Sequence, residues 1–449
     1  MKRKIFVAIF ALAMTGAIFA ADFPAYLQMS GTKIVGCDWS NLPANLVIPE
    51  GVTEIGEIAF AGCVNVKSVS FPKSLKAIEK EAFVGCNGLE SLTIPGNVAR
   101  VGEKAFSGCA ALKSVSIQEG VLNMEKEVFY NCTSLKTATI PGSLKTIPQG
   151  LFRNSELEDV KISNGVNNIE AEAFASCRLK NLTVPGSVTT IGEEAFAYNN
   201  YTLITVIIEE GVVTIGKSAF NTNRFLKSVS LPKSLKTIGD KAFFLCQVLS
   251  EIEIPSGVES IGNGAFSECW YLENIVIPGN VKTIGKEAFK GSKALSSVTI
   301  QEGVKTIGEC AFFDCGNLLS VEIPKSVTSL GGGAFINCGL LKSVVIPANI
   351  KTIENELFAG CGRLSSVTIQ EGITKIGYAA FQNCTNLRNI SIPSSVKSVD
   401  EEAFAGCRTL RTIQYGGSKA GWRSIKKGEG AFPGSMNITC SDGDVSISR

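Results

Sequence analysis

From Val47 to Tyr415 the apolar positions of this chain fall into two alternating short patterns. A run such as Leu112-Lys-Ser-Val115-Ser-Ile117 puts every second side chain on an apolar face and serine on the other, which predicts a short half-buried strand. Proline closes the run in ten turns, from Pro72 to Pro393, where its missing N–H no longer has to feed a ladder. A turn follows, as at Pro278-Gly279-Asn280 or Gln301-Glu302-Gly303, and then a second extended piece such as Val281-Lys-Thr-Ile284. The unit ends in Gly-x-x-Ala-Phe-x-x-Cys. That segment is too short for a stable lone helix and predicts a single helical or 3-10 turn that plugs Ala and Phe into the core.

The unit occurs sixteen times, with its phenylalanine at Phe60, Phe83, Phe106, Phe129, Phe152, Phe174, Phe196, Phe220, Phe243, Phe266, Phe289, Phe312, Phe335, Phe358, Phe381 and Phe404. Twelve of the fifteen gaps are 23 residues and the others are 22, 22 and 24. A fixed period in this range marks a solenoid, whose units bury their apolar faces only by stacking on neighbours. Strands about 4.8 Å apart would give a rod on the order of 75 Å long. Its open ends need covers. Residues 21–46, with Phe23, Leu27, Ile34 and Trp39, are the expected N-terminal cap; residues 47–415 are the solenoid; and residues 416–449, with Trp422, Ile425 and Phe432, are the C-terminal cap and tail.

Residues 1–20 stand apart, because Lys2-Arg3-Lys4 precedes an apolar run from Ile5 to Ala13 and a small-residue segment ending at Ala20. This is the pattern of a secretory signal peptide, and the run is near the lower limit for a membrane span. No stable span is expected once it is removed. The first cysteine, Cys37, lies too far from Ala20 to carry a lipid. Removal of the signal shifts the formal charge from +2 to −1, spread evenly, which argues against nucleic acid as a partner. The chain has no histidine, so it lacks the usual general base and the commonest zinc ligand.

An exported protein with 15 cysteines would ordinarily suggest a disulfide framework. Their placement points elsewhere. Twelve sit three residues after the repeat phenylalanine, and Ser155, Asn199, Asn223 and Ser292 hold the same place in the other four turns. A position shared by Cys, Ser and Asn asks for a small side chain that meets backbone groups in a buried turn. Parallel Cα–Cβ vectors one strand apart are also poor geometry for a bridge. Cys37, Cys310 and Cys440 stand outside this row, and any of them can pair locally.

The outward strand positions form a hydroxyl-rich column that suits solvent as well as it suits a ligand. Departures from the repeat carry more information. Between Phe152 and Leu203 the period slips, and an insertion gives Tyr198-Asn-Asn-Tyr201-Thr. Ile204 and Ile207 then replace the usual Lys and Ser/Thr, and Phe225, Phe244, Trp270, Tyr271 and Phe313 follow in the loops, with Val276 on the sheet face. Exposed Tyr and Trp serve as interface anchors because they offer large area with few rotors, so these ten residues are the candidate ligand-binding set. The bland alternative is that the rings fold over their own turns. Glu251, Glu253 and Glu322 share a strand face, but neither a cleft for acid–base work nor a full calcium ligand set accompanies them, and no phosphate-loop lysine follows the glycines. No catalytic residue, metal or cofactor is expected.

The full unit, Val-x-x-Ile-Gly-x-x-Ala-Phe-x-x-Cys-x-x-Leu-x-x-Val-x-Ile-Pro, resembles the BspA-type (Treponema pallidum-type) leucine-rich repeat, and Ile413 to Ile425 is similar to the cap that follows such repeats. The resemblance implies an α/β solenoid: a right-handed coil with a parallel sheet on its concave face. It also implies a secreted or cell-surface protein of the adhesin kind. Its partner would be a protein or glycan of the host matrix, such as fibronectin or fibrinogen, of host cells, or of other microbes. The alternative is a self-assembling component of the cell envelope.

Overall fold

The computed structural model describes residues 23–447, so the expected signal segment at residues 1–20 lies outside them. The described chain winds into a parallel-strand solenoid of about 18 turns. Three ladders of backbone hydrogen bonds run between successive coils, the first of them interrupted in places. The first is the predicted strand: Asn274–Ile277, Ser297–Ile300 and Ser320–Glu322 pair in parallel with Ile275, Val298 and Val321 in register. The second is the two-residue strand, as in Thr283–Ile284, Thr306–Ile307 and Ser329–Leu330. In both, the apolar residue points inward because only the shared interior removes it from water.

The third ladder corrects the expected helical turn. Ala59, Ala61 and Cys63 close turns on the carbonyls of Gly56, Ile58 and Phe60, which is the short-range bonding anticipated. The alternate N–H groups of Ile58, Phe60 and Gly62 instead donate to Lys80, Ala82 and Val84 of the following coil at 3.2, 2.8 and 2.8 Å. This alternation is accompanied by left-handed residues four positions apart, here Ile58 at φ 54° and Gly62 at φ 70°. A helix would have to give up that outward bonding, since it turns every N–H back on its own segment. Among the described residues the one α-helix is Lys419–Ser424, capped by Ser418, whose Oγ accepts from the Gly421 N–H. The architecture is therefore an almost helix-free coil and not an α/β one.

Inside, the sixteen repeat phenylalanines form one continuous stack, with neighbouring centroids 4.9–5.7 Å apart and rings within 20° of parallel. The stack continues past Phe404 to Phe432, at 5.5 Å and 8°. Gly428-Glu-Gly-Ala431-Phe432 is the same closing segment, reached late because the helix Lys419–Ser424 is inserted ahead of it. The Phe column thus runs into residues assigned from sequence to the C-terminal cap.

The position three residues after the phenylalanine behaves as its residue choice implied. Cys338 and Cys361 each direct Sγ to the carbonyl of the phenylalanine 26 residues earlier, at 3.3 and 3.2 Å. Ser292 Oγ makes the same contact with Phe266 at 3.1 Å, and Asn223 Nδ2 with Phe196 at 3.0 Å. Cys63 has no earlier repeat phenylalanine to bond, and its Sγ lies 3.6 Å from that of Cys37 instead.

A further inter-coil device links Glu-Gly turns to the serine of the next coil. Gly120, Gly211 and Gly303 donate N–H to the Oγ of Ser143, Ser234 and Ser326, while Glu119 and Glu210 accept from two backbone N–H groups of the next coil. The Gly142 N–H above all holds Glu119 below its ordinary carboxyl value, and the Lys233 N–H does the same for Glu210. A depressed folded value means that these contacts stabilise fully above the ordinary glutamate value of 4.5 and are lost as pH falls through the lower folded values. Thermal melts should therefore show an acid-induced fall that shrinks when Glu119 and Glu210 are replaced by Gln. An unchanged pH slope in that variant would refute the assignment.

The two ends are closed differently. An antiparallel hairpin, Leu27–Ser30 with Lys33–Cys37, covers the second ladder by pairing Lys33–Cys37 with Glu54–Ile55. At the other end Met436–Cys440 extends the first ladder beyond Thr412–Tyr415, and Gly443–Ile447 folds back antiparallel on it.

Candidate ligand-binding face

The candidate residues divide among three sides of the coil. Tyr201, Phe225 and Tyr271 share one corner, Phe225 and Tyr271 just before the inward leucine that opens the first strand and Tyr201 one residue earlier, where Thr202 is inserted before Leu203. Tyr201 is 73%, Phe225 47% and Tyr271 61% exposed. The Tyr201 and Phe225 rings lie 5.9 Å apart, tilted by 57°. Half-buried Val248 fills the rung between Phe225 and Tyr271, a member that sequence reasoning passed over although it sits on the same 23-residue register. Trp270 stands beside this column with its orientation set from two sides: Nε1 donates to Glu268 Oε2 at 2.7 Å, and Lys293 Nζ lies 5.6 Å from the ring centroid.

Ile204 occupies the adjoining column, where backbone bonds from Ile204 to Lys180 and from Lys227 to Ile204 set the rungs. Its side chain is exposed between those two cations. Ile207 and Val276 are exposed on the outer face of the first ladder, in register with Thr183 and Ser230 and with Thr299 respectively. The coil between them, Leu249 to Ile254, has lost its strand, and Glu251 keeps an isolated bridge to Ser228. Both Glu251 and Glu253 point to solvent there.

The remaining three belong to the turn ladder. Phe244 and Phe313 are half-buried beneath the ammonium groups of Lys241 and Lys290, at 5.8 and 5.5 Å. Tyr198 takes a left-handed backbone, φ 63°, and bonds Asn221 O through its N–H. The structure therefore brings Tyr201, Ile204, Phe225, Trp270 and Tyr271 to one edge, and leaves Tyr198, Phe244 and Phe313 on another side of the coil. The insertion that projects Tyr201 also leaves Asn200 Oδ1 and Thr202 Oγ1 buried without a protein partner, so the coil's own bonding is incomplete at the root of this corner. Farther along, Leu319, Leu340 and Val345 are exposed apolar residues that the search for aromatics missed.

A family model described as a BspA type leucine rich repeat region (6 copies) matches residues 38–158, 76–202, 197–318 and 305–439. The chain belongs to the BspA-type leucine-rich repeat family. Among solved structures of similar fold, a leucine-rich repeat protein from Bacteroides ovatus is 26% identical, with 92% of each chain covered and a TM-score of 0.51. A leucine rich cell surface protein from Faecalibacterium prausnitzii is 25% identical over 91% of this chain and 99% of that one, with a TM-score of 0.39. The pneumococcal vaccine antigen PcpA is 19% identical over 92% and 91%, with a TM-score of 0.40. No curated protein matches the chain in sequence.

No group of three or more Cys, Asp or Glu is placed to hold a metal ion among the described residues, and no described helix is long and apolar enough to cross a membrane. What this BspA-type chain presents instead is one edge where large rings replace the Ser, Asn and Gly found at the same rung in Cys132-Thr-Ser, Cys315-Gly-Asn and Cys86-Asn-Gly.

Proposed function

We propose that this protein is exported by its N-terminal signal and acts at the cell surface as an adhesin-like binding protein. In this reading the first-ladder sheet lines the concave side of a right-handed coil, and a host-matrix, host-cell or microbial protein or glycan docks across its edge. The observation that carries the reading is the exposed corner column Tyr201–Phe225–Val248–Tyr271 with Trp270 beside it. Rings of this kind bury large area at small rotamer cost, and a few of them dominate a typical interface. The surface-protein family and the open repeated face support it.

The test is capture of the mature protein on an array of matrix proteins, including fibronectin and fibrinogen, and on bacterial surfaces. Replacing Tyr201 and Trp270 together by Ser should weaken capture roughly 30-fold or more, since hot-spot rings cost about 1–2 kcal/mol each when truncated. The circular dichroism spectrum should stay as in the wild type. Undiminished capture by the variant would remove the corner from the binding reading. Self-association of the wild type with no capture of any surface would favour an envelope-assembly role instead.

A further inference from the structure

The column that holds Ile204 changes character along the rod. Backbone bonds set its rungs, Lys113 to Glu90, Lys136 to Lys113, Glu158 to Lys136 and Lys180 to Glu158, then Lys342 to Leu319, Ser365 to Lys342 and Arg411 to Arg388. In the N-terminal half three successive cations of this column are paired with carboxylates, while Lys67 and Lys227 stand singly. Lys113 pairs with Glu90 at 2.9 Å, Lys136 with Glu156 and Glu158 at 2.8 and 3.1 Å, and Lys180 with Glu158 at 2.6 Å.

In the C-terminal third the same edge carries Lys342, Arg388 and Arg411, with Arg363 and Arg408 on the adjoining corner, and all five are exposed. None of the five forms an ion pair among the described residues, and Arg411 spends one guanidinium nitrogen on the carbonyls of Arg408 and Leu410. The sheet face beside them is neutral and hydrogen-bonding: Ser366, Asn389 and Thr412 on one row, Thr368, Ser391 and Gln414 on the next. Carboxylates stand only at its flanks, Glu322 on one side and Asp444 on the other, while Glu371 is turned to the N–H groups of Ser394 and Ser395.

We infer that this edge is a second binding site, and that its ligand is a linear sulfated polysaccharide. Guanidinium forks match the oxygens of a sulfate ester in pairs and carry less hydration than ammonium groups. Their spacing along consecutive rungs spreads the cations over roughly 15 Å, which suits an extended polyanion better than a single charged group. The hydroxyl and amide rows can bond sugar hydroxyls. The same face has no exposed aromatic ring on which a base could stack, which disfavours single-stranded nucleic acid. This site is separate from the Tyr201 corner and stands or falls independently of it.

The experiment is binding of the mature protein to heparin, with fully desulfated heparin and single-stranded DNA as comparators, at two salt concentrations. The double variant Arg388→Ser/Arg411→Ser should bind heparin roughly tenfold more weakly than the wild type, two exposed contacts each contributing somewhat less than that factor. Lys113→Ser/Lys180→Ser removes the same formal charge from paired positions and should bind as the wild type does. The wild-type affinity should fall steeply with salt. Equal losses in the two variants would overturn the site, as would equal binding of desulfated heparin or tighter binding of DNA. Both variants are at exposed strand-entry positions, and an unchanged melting temperature confirms that the comparison is between folded proteins.

Discussion

Phe289→Ala loosens the middle of the rod by about 3–5 kcal/mol, the cost of deleting a large ring from a core that cannot collapse around the gap. Phe289 is fully buried between Phe266 and Phe312, with centroids 5.4 and 5.3 Å away. Removing it breaks two stacking contacts and leaves a void bounded by two rigid ladders. Phe289→Leu keeps most of the volume and should cost about 1–2 kcal/mol. Phe60 is stacked on one side only, by Phe83 at 4.9 Å, so Phe60→Ala should cost less than Phe289→Ala. In a solenoid each coil contacts its neighbours alone, so the damage is local and a single unfolding transition is the wrong readout. Hydrogen exchange resolved by peptide should show protection lost from about Phe266 to Phe312 while the terminal coils keep theirs. Equal effects at Phe60 and Phe289, or loss of protection along the whole chain, would contradict the picture of one stack with nearest-neighbour coupling.

The periodicity of Phe, Leu, Val and Ile was legible because burial in a repeated coil leaves its mark on side-chain type. The interchange of Cys with Ser292 and Asn223 was legible for the same reason: one carbonyl needs one small donor. The third ladder was not. Its outward N–H groups at Ile58, Phe60 and Gly62 belong to the backbone, and only the neighbouring coil shows where they go. Read within one unit, turns closing on the third residue back look like the start of a 3-10 helix. The left-handed positions gave little warning, because Glu81, Lys104 and Glu127 occupy them as readily as glycine does. Phe432 was read as part of the cap and not as the next member of the column, since the inserted helix Lys419–Ser424 stretches the interval and hides an otherwise complete Gly-x-x-Ala-Phe.

The candidate site was legible in part. Ring type singled out Tyr201, Phe225, Trp270 and Tyr271, and the structure puts them on one edge because the register carries each to the same corner. Phe244 and Phe313 looked equivalent by composition, yet they lie one step after the repeat phenylalanine and so fall on the turn ladder under lysines. The arginine edge escaped a reading based on net charge. An even total conceals that the carboxylates matching Lys113, Lys136 and Lys180 have no counterpart beside Arg388 and Arg411.

Gly303→Ala is expected to be nearly as damaging as loss of a ring, although it adds a single methyl group at the surface. Gly303 sits at φ 116°, outside the region open to residues with a Cβ, and a Cβ there would come within 2.2 Å of the Gly279 carbonyl oxygen. The clash is with backbone of the preceding coil, so no side-chain rotation relieves it. Yielding would shift the N–H that Gly303 gives to Ser326 Oγ and the Glu302 carboxylate that accepts from Lys325 and Ser326. A strained backbone position and forced separation of two coils together amount to about 2–4 kcal/mol. Gly316 supplies the contrast, since a Cβ would meet nothing within 4 Å and its φ is not left-handed. Gly316→Ala should be neutral or stabilising by about 0.4–1 kcal/mol through the entropy of the unfolded chain. Proteolysis at the coil of Val304 should accelerate in Gly303→Ala and not in Gly316→Ala. If the two variants are cleaved at the same rate, close backbone approach between adjacent coils is not what keeps glycine in the Glu-Gly turn.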